Sequence, residues 1–126
     1  NCKSYSCRHN DSLIYVVMPK FSSMEKEWVL GKNFVRRMYQ VNVNFRGFDR
    51  TIYKVYVSDL ENRDSGMGDY ALVSKQFGII YRYNTQGEIL MLNRIDVIRN
   101  GKVMDEIDLL PLHIELGKTD IFTGYD

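Results

Sequence analysis

From Tyr39 to Arg46 the chain alternates, with Tyr39, Val41, Val43 and Phe45 apolar and Gln40, Asn42, Asn44 and Arg46 polar. A period of two marks a strand with one face buried and one wet, because successive side chains point to opposite sides. "TIYKVYVS" (Thr51 to Ser58) repeats the alternation through Tyr53, Val55 and Val57, and Gly47 lies between, so the pattern predicts a hairpin. Farther on, "YALVSKQFGIIYRY", "GEILMLNRIDVI" and "KVMDEIDLLPL" read as strands. The last two are joined through Asn100-Gly101, a pair suited to a two-residue hairpin turn. "SLIYVVMP" (Ser12 to Pro19) reads as a first strand, stopped by a proline with no N–H to give.

Between Ser22 and Tyr39 the spacing changes. Ser22 followed by Glu25 matches a capping box, and Met24, Trp28, Val35 and Met38 recur near a helical period. This predicts a helix whose basic end, Arg36-Arg37, suits the negative pole of the helix dipole. Gly31 weakens it by about 1 kcal/mol, and a strand starting near Trp28 is the competing assignment. Gly78 is expected to bulge or bend its strand. Thr85-Gln86-Gly87 then reverses the chain into Ile89 to Leu92, apolar throughout, as a central strand covered on both faces would be. The expected fold is α+β: one N-terminal helix packed on a curved, mostly antiparallel sheet of about five to seven strands. Nothing divides residues 1–126, so a single domain is expected, with 1–11 as a loose N-terminal segment.

Composition narrows the classes of function. With 126 residues, 44% of them hydrophobic and 13% aromatic, the chain can bury one core, and its nine tyrosines favour strands. Seventeen basic residues against sixteen acidic leave no broad field for nucleic acid or an anionic membrane. No apolar stretch approaches the ~18 residues that span a bilayer, the longest running from Leu13 to Met18. The start "NCKSYSC" has neither an initiator Met nor an apolar signal region, which predicts either a processed product or an artificially trimmed chain. Cys2 and Cys7 leave three readings open: a small disulfide loop, a lipid on Cys2, or two free thiols. With His9 they form too small a set for a structural zinc site, and the sequon Asn10-Asp11-Ser12 decides nothing.

Candidate chemistry is sparse. Glu106 and Asp108 would share one strand face about 6.6 Å apart, a separation that a water-activating carboxylate pair could use. They define the alternative reading, a small hydrolase, but with Val103, Ile107 and Leu109 on the inner face the stronger reading is that the acids cover the wet side of a strand. No Gly-x-Ser-x-Gly elbow or phosphate-cradling loop is present, and His113 after Pro111 is expected at a surface boundary. Asp59, Glu61, Asp64 and Asp69 could gather around a calcium ion, but they lack the EF-hand rhythm and include Arg63, so no metal and no cofactor is expected. If a helix covers Val41, Val43 and Val55, the opposite face offers Gln40, Asn42, Asn44, Lys54, Tyr56 and Arg82 to a glycan or a protein.

The run "YALVSKQFGIIYRYNTQGEILML", residues 70–92, resembles an element of small extracytoplasmic β-sheet proteins and lipoproteins of bacterial cell envelopes, in which a Tyr/Ser-Lys-x-x-Gly-(Leu/Ile)-(Ile/Val) strand is followed by a turn and another apolar strand. The resemblance implies a secreted or envelope-anchored module and assigns no functional residue. The expectation is therefore a non-catalytic extracytoplasmic binding or structural module. A subunit that pairs through an exposed strand edge is a further alternative.

Overall fold

The computed structural model describes residues 26–124. Its main body is a six-stranded antiparallel sheet in which neighbours in sequence are neighbours in space: β1 (Glu27–Leu30), β2 (Asn33–Phe45), β3 (Phe48–Asp59), β4 (Asp69–Ser74), β5 (Gly78–Asn84) and β6 (Ile89–Met91). A 3-10 turn, Leu60–Asn62, follows β3. β7 (Arg94–Arg99) and β8 (Lys102–Asp108) form a separate two-stranded ribbon, and α1 (Leu110–Gly117) is the last regular element among the described residues. Among the described residues no helix is long and apolar enough to cross a membrane.

This architecture corrects the expected fold class. Among the described residues the protein is mostly antiparallel sheet, 58% strand and 11% helix, and its one described α-helix lies near the C-terminus rather than the N-terminus. The stretch predicted as a helix is a hairpin from Glu27 onward, turning at Gly31-Lys32. Trp28 and Val35, which shared the helical spacing, are cross-strand partners. A seven-residue separation satisfies both geometries, and burial of Trp28 and Val35 in one cluster favours the hairpin. The expected capping box, the strand over Ser12 to Pro19, the loose segment 1–11 and the readings on Cys2, Cys7, His9 and the sequon lie outside the described residues.

Two tight turns set which side chain faces where. Arg46 (φ 55°) and Gly47 (φ 80°), and again Asn100 (φ 52°) and Gly101 (φ 75°), both take left-handed conformations, as a two-residue turn matched to strand twist requires. The first turn pairs Phe45 with Phe48, so Val41 lies opposite Ile52 and Gln40 opposite Tyr53. Odd residues of β2 therefore share a face with even residues of β3 until a bulge between Arg37 and Tyr39 reverses the parity. Val55 consequently falls on the face opposite Val41 and Val43.

On the first face Val43, Phe45, Ile52, Leu72 and Ile80 pack with Ile107 of the ribbon, Leu109, Leu112 and Leu116 around α1, and Ile121. Pro111 starts the helix where a missing N–H costs nothing, and Asp108 accepts a hydrogen bond from the Leu110 N–H at 3.0 Å. Arg46 ties the ribbon to the β2–β3 turn through Asp105 at 3.2 Å. The second face carries its own buried cluster, Trp28, Val35, Tyr53, Val55, Ala71 and Val73.

Two further expectations change. Gly78 (φ 77°) does not interrupt a continuous strand; it pairs with Ser74 and closes a short loop in the left-handed conformation that glycine adopts without a Cβ penalty. The bulge in this pair of strands lies two residues farther on, where Ile80 of β5 is the extra residue opposite Leu72 and Val73. The segment after Gly87 is not a covered central strand: among the described residues β6 is an edge of the sheet, and Ile89, Leu90 and Met91 are 59%, 59% and 44% exposed.

Candidate functional site

Antiparallel pairing lines up side chains in rows across the strands. One row at the end of the first face reads Glu27, Arg36, Tyr56, Tyr70, Tyr83 and Ile89, one residue from each strand of the main sheet. The tyrosine rings touch in sequence, Tyr56 to Tyr70 at 5.2 Å between centroids and Tyr70 to Tyr83 at 5.3 Å, the latter stacked with 17° between planes. Cross-strand aromatic pairs of this kind each contribute roughly 0.2–1 kcal/mol, so the row also fixes the register that creates it. Tyr81 and Phe122 close one side, with ring centroids 5.1 Å apart.

Each member of the row has a different task. Tyr56 is buried; its hydroxyl donates to the Asn62 carbonyl and accepts from the Gly68 N–H, both at 3.1 Å, which fastens the 60–68 loop beside the row. Tyr70 and Tyr83 are half-buried and offer ring surface. Burial, reinforced by Tyr70 and Tyr81, pushes the Tyr83 hydroxyl up to about 12. Arg36 donates to Glu27 at 2.8 Å and to Asp64 at 3.5 Å, and the Glu27 hydrogen bond raises its affinity for the proton. Arg36, Arg63, Asp64, Gly66, Met38, Tyr56 and Tyr70 line a shallow depression of about 190 Å³.

Lys54 stands just inside the row, its Nζ 5.7 Å from the Tyr70 ring centre. The ammonium is buried and donates to the carbonyls of Phe122 at 2.9 Å and Gly124 at 3.2 Å. Burial lowers its pKa. Lys54 is thus a clamp on the chain after α1 and presents no cation to solvent.

The residues expected to form one binding face are divided. Gln40, Asn42 and Asn44 are exposed on the second face, where Asn42 accepts from the Thr51 hydroxyl at 2.8 Å. Lys54 and Tyr56 are buried on the first face, because the two-residue turn at Arg46-Gly47 gives them the opposite parity. Arg82 is on the second face in a 2.9 Å ion pair with Asp69. Glu106 and Asp108 are exposed: Glu106 lies 3.6 Å from Arg94, and Asp108 caps α1. Val103, expected on the inner face beside them, is 52% exposed near a bulge at Val97/Ile98.

Of the acidic set, Asp64 is paired with Arg36 and Arg63, and Asp69 with Arg82. Asp59 and Glu61 are exposed, and among the described residues no group of His, Cys, Asp and Glu is placed to hold a metal ion. His113 Nε2 donates to the Leu92 carbonyl at 2.8 Å, so that nitrogen is committed to the fold.

Sequence reasoning missed Tyr70, Tyr83 and Arg36 as a unit. The nine tyrosines were visible, but their alignment depends on pairings across separate hairpins. A flat ring surface beside a guanidinium–carboxylate cluster can stack on an apolar ring face and exchange hydrogen bonds with hydroxyls. No family model, curated protein or solved structure matches the chain.

Proposed function

We propose that this domain is a non-catalytic binding module that receives a glycan on the tyrosine row, working outside the cytoplasm. The observation that carries the reading is the stacked Tyr70–Tyr83 pair opening beside a depression edged by Arg36, Arg63 and Asp64. A sugar ring presents both an apolar face for stacking and hydroxyls for the charged rim, and the neighbouring acids and bases balance, which suits a neutral ligand. The carboxylates of the rival hydrolase reading project to solvent on the ribbon instead of converging in a cleft. The extracytoplasmic part rests on the resemblance of residues 70–92 and on the closely spaced Cys2 and Cys7.

Titration calorimetry against a panel of neutral oligosaccharides tests this. Tyr70→Ala and Tyr83→Ala should each weaken binding by about tenfold, the scale of one aromatic contact. Binding that survives both substitutions sinks the reading, and glycan hydrolysis abolished by Glu106→Gln would establish the rival. Intact mass of the native protein before and after reduction addresses the compartment: free, unmodified thiols on Cys2 and Cys7 count against an oxidising one.

A further inference from the structure

We infer that β6 is a self-recognition edge, through which two copies of this chain join their sheets about a two-fold axis at Leu90. The backbone directions are fixed by its pairing with β5. Asn84 N–H donates to the Glu88 carbonyl at 3.2 Å and Leu92 N–H to the Ile80 carbonyl at 3.0 Å, so residues 88, 90 and 92 turn their backbone groups toward β5. Ile89 and Met91 therefore turn theirs outward, because alternate residues of a strand address opposite neighbours. Within Ile89–Met91 there is no proline, charge or bulge of the sort that ordinarily guards a sheet edge.

The outward groups are complementary to themselves. In an antiparallel register centred on Leu90, Ile89 faces Met91 of the second copy and Met91 faces its Ile89. Each of these pairs exchanges both of its backbone hydrogen bonds, and no outward group of the strand is left over. The two Leu90 side chains, each 59% exposed in one copy, then meet across the axis on the second face. Glu88 is placed opposite Leu92 of the second copy, and the two Glu88 residues stay about 13 Å apart by strand rise, so like charges do not oppose each other. A two-fold axis perpendicular to the sheet keeps equivalent faces on one side, which sets both tyrosine rows on the same surface. The inference does not depend on what those rows bind.

The pairing strand is short, so the buried area falls below the 1,200–2,000 Å² typical of a tight complex and the association is concentration-dependent. Sedimentation equilibrium over a concentration series up to about 1 mM reads it directly. The chain should move from monomer mass toward twice that mass. Leu90→Lys sets two ammonium groups against each other, and Met91→Pro deletes an outward N–H without touching the β5 pairing; both should hold the protein at monomer mass with an unchanged circular-dichroism spectrum. Phe48→Lys, which changes an apolar side chain 68% exposed at the far β2–β3 turn, should associate like the parent. A parent that stays monomeric throughout, a mass that climbs past two copies, equal association by both β6 variants, or loss of association in Phe48→Lys would each overturn the inference.

Discussion

Replacing Leu112 by alanine tests whether α1 is the lid of the first core. Leu112 and Leu116 are four residues apart on one side of the helix and fully buried, whereas Leu110 and Ile114 on the other side are 54% and 53% exposed. Truncating a fully buried leucine costs about 2.7–5 kcal/mol, the transfer term plus the cavity left behind. The same truncation at Leu110 stays within about 0.5 kcal/mol, since alanine is a slightly better helix former and little buried surface is lost. For 126 residues the unfolding entropy near the midpoint is about 0.26 kcal/mol/K, so a loss of ~3 kcal/mol lowers Tm by roughly 11 °C and a loss of ~0.5 by about 2 °C. Against a typical total of about 5–15 kcal/mol, the first change is a large share of the stability. Urea unfolding followed by the fluorescence of Trp28, which lies in the opposite cluster, reports whether both faces unfold together. The reasoning fails if Leu110→Ala and Leu112→Ala cost the same.

Two other outcomes follow from local geometry. At Gly68 an added Cβ would meet the Val57 carbonyl and fall 2.8 Å from the Ser58 Cβ, so Gly68→Ala should cost about 1–3 kcal/mol by denaturant unfolding, and a neutral result would mean the 60–68 loop is not held against Tyr56. The Tyr83 value lies above the ordinary 10, so the folded state keeps that proton more firmly; its contribution is complete below pH 10 and is lost as pH rises to about 12. Tyr83→Phe should flatten the fall in stability across that window, and an equally steep fall in the variant would refute the assignment.

The local parts of this fold were legible and the relational parts were not. Asn100-Gly101 specified its turn because two left-handed residues in succession are nearly a property of the dipeptide. The alternation over 39–46 and 51–58 announced paired strands, yet the faces were assigned wrongly, since face depends on the parity of a turn and on one bulge at Arg37/Tyr39. Trp28 and Val35 misled because hairpin partners can imitate helical neighbours. Ile89 to Met91 looked central because apolarity alone does not distinguish a covered strand from an unguarded edge. α1 escaped because eight residues offer barely two turns of periodicity. The tyrosine row needed three registers at once before Tyr56, Tyr70 and Tyr83 became one surface.

The Lys54 clamp bears on the order in which the protein can be completed. The meander from β1 to β6 is built from neighbouring hairpins and can assemble as the chain leaves the ribosome. Lys54, in its middle strand, finds its carbonyl acceptors only 68 and 70 residues later, at Phe122 and Gly124. Until those residues emerge, an ammonium group faces an unfinished core, which favours water staying between the first face and its lid. A nascent chain halted before Phe122 should therefore hold its strands but not its dry core, and the arrival of Phe122 and Gly124 is the step that expels the water.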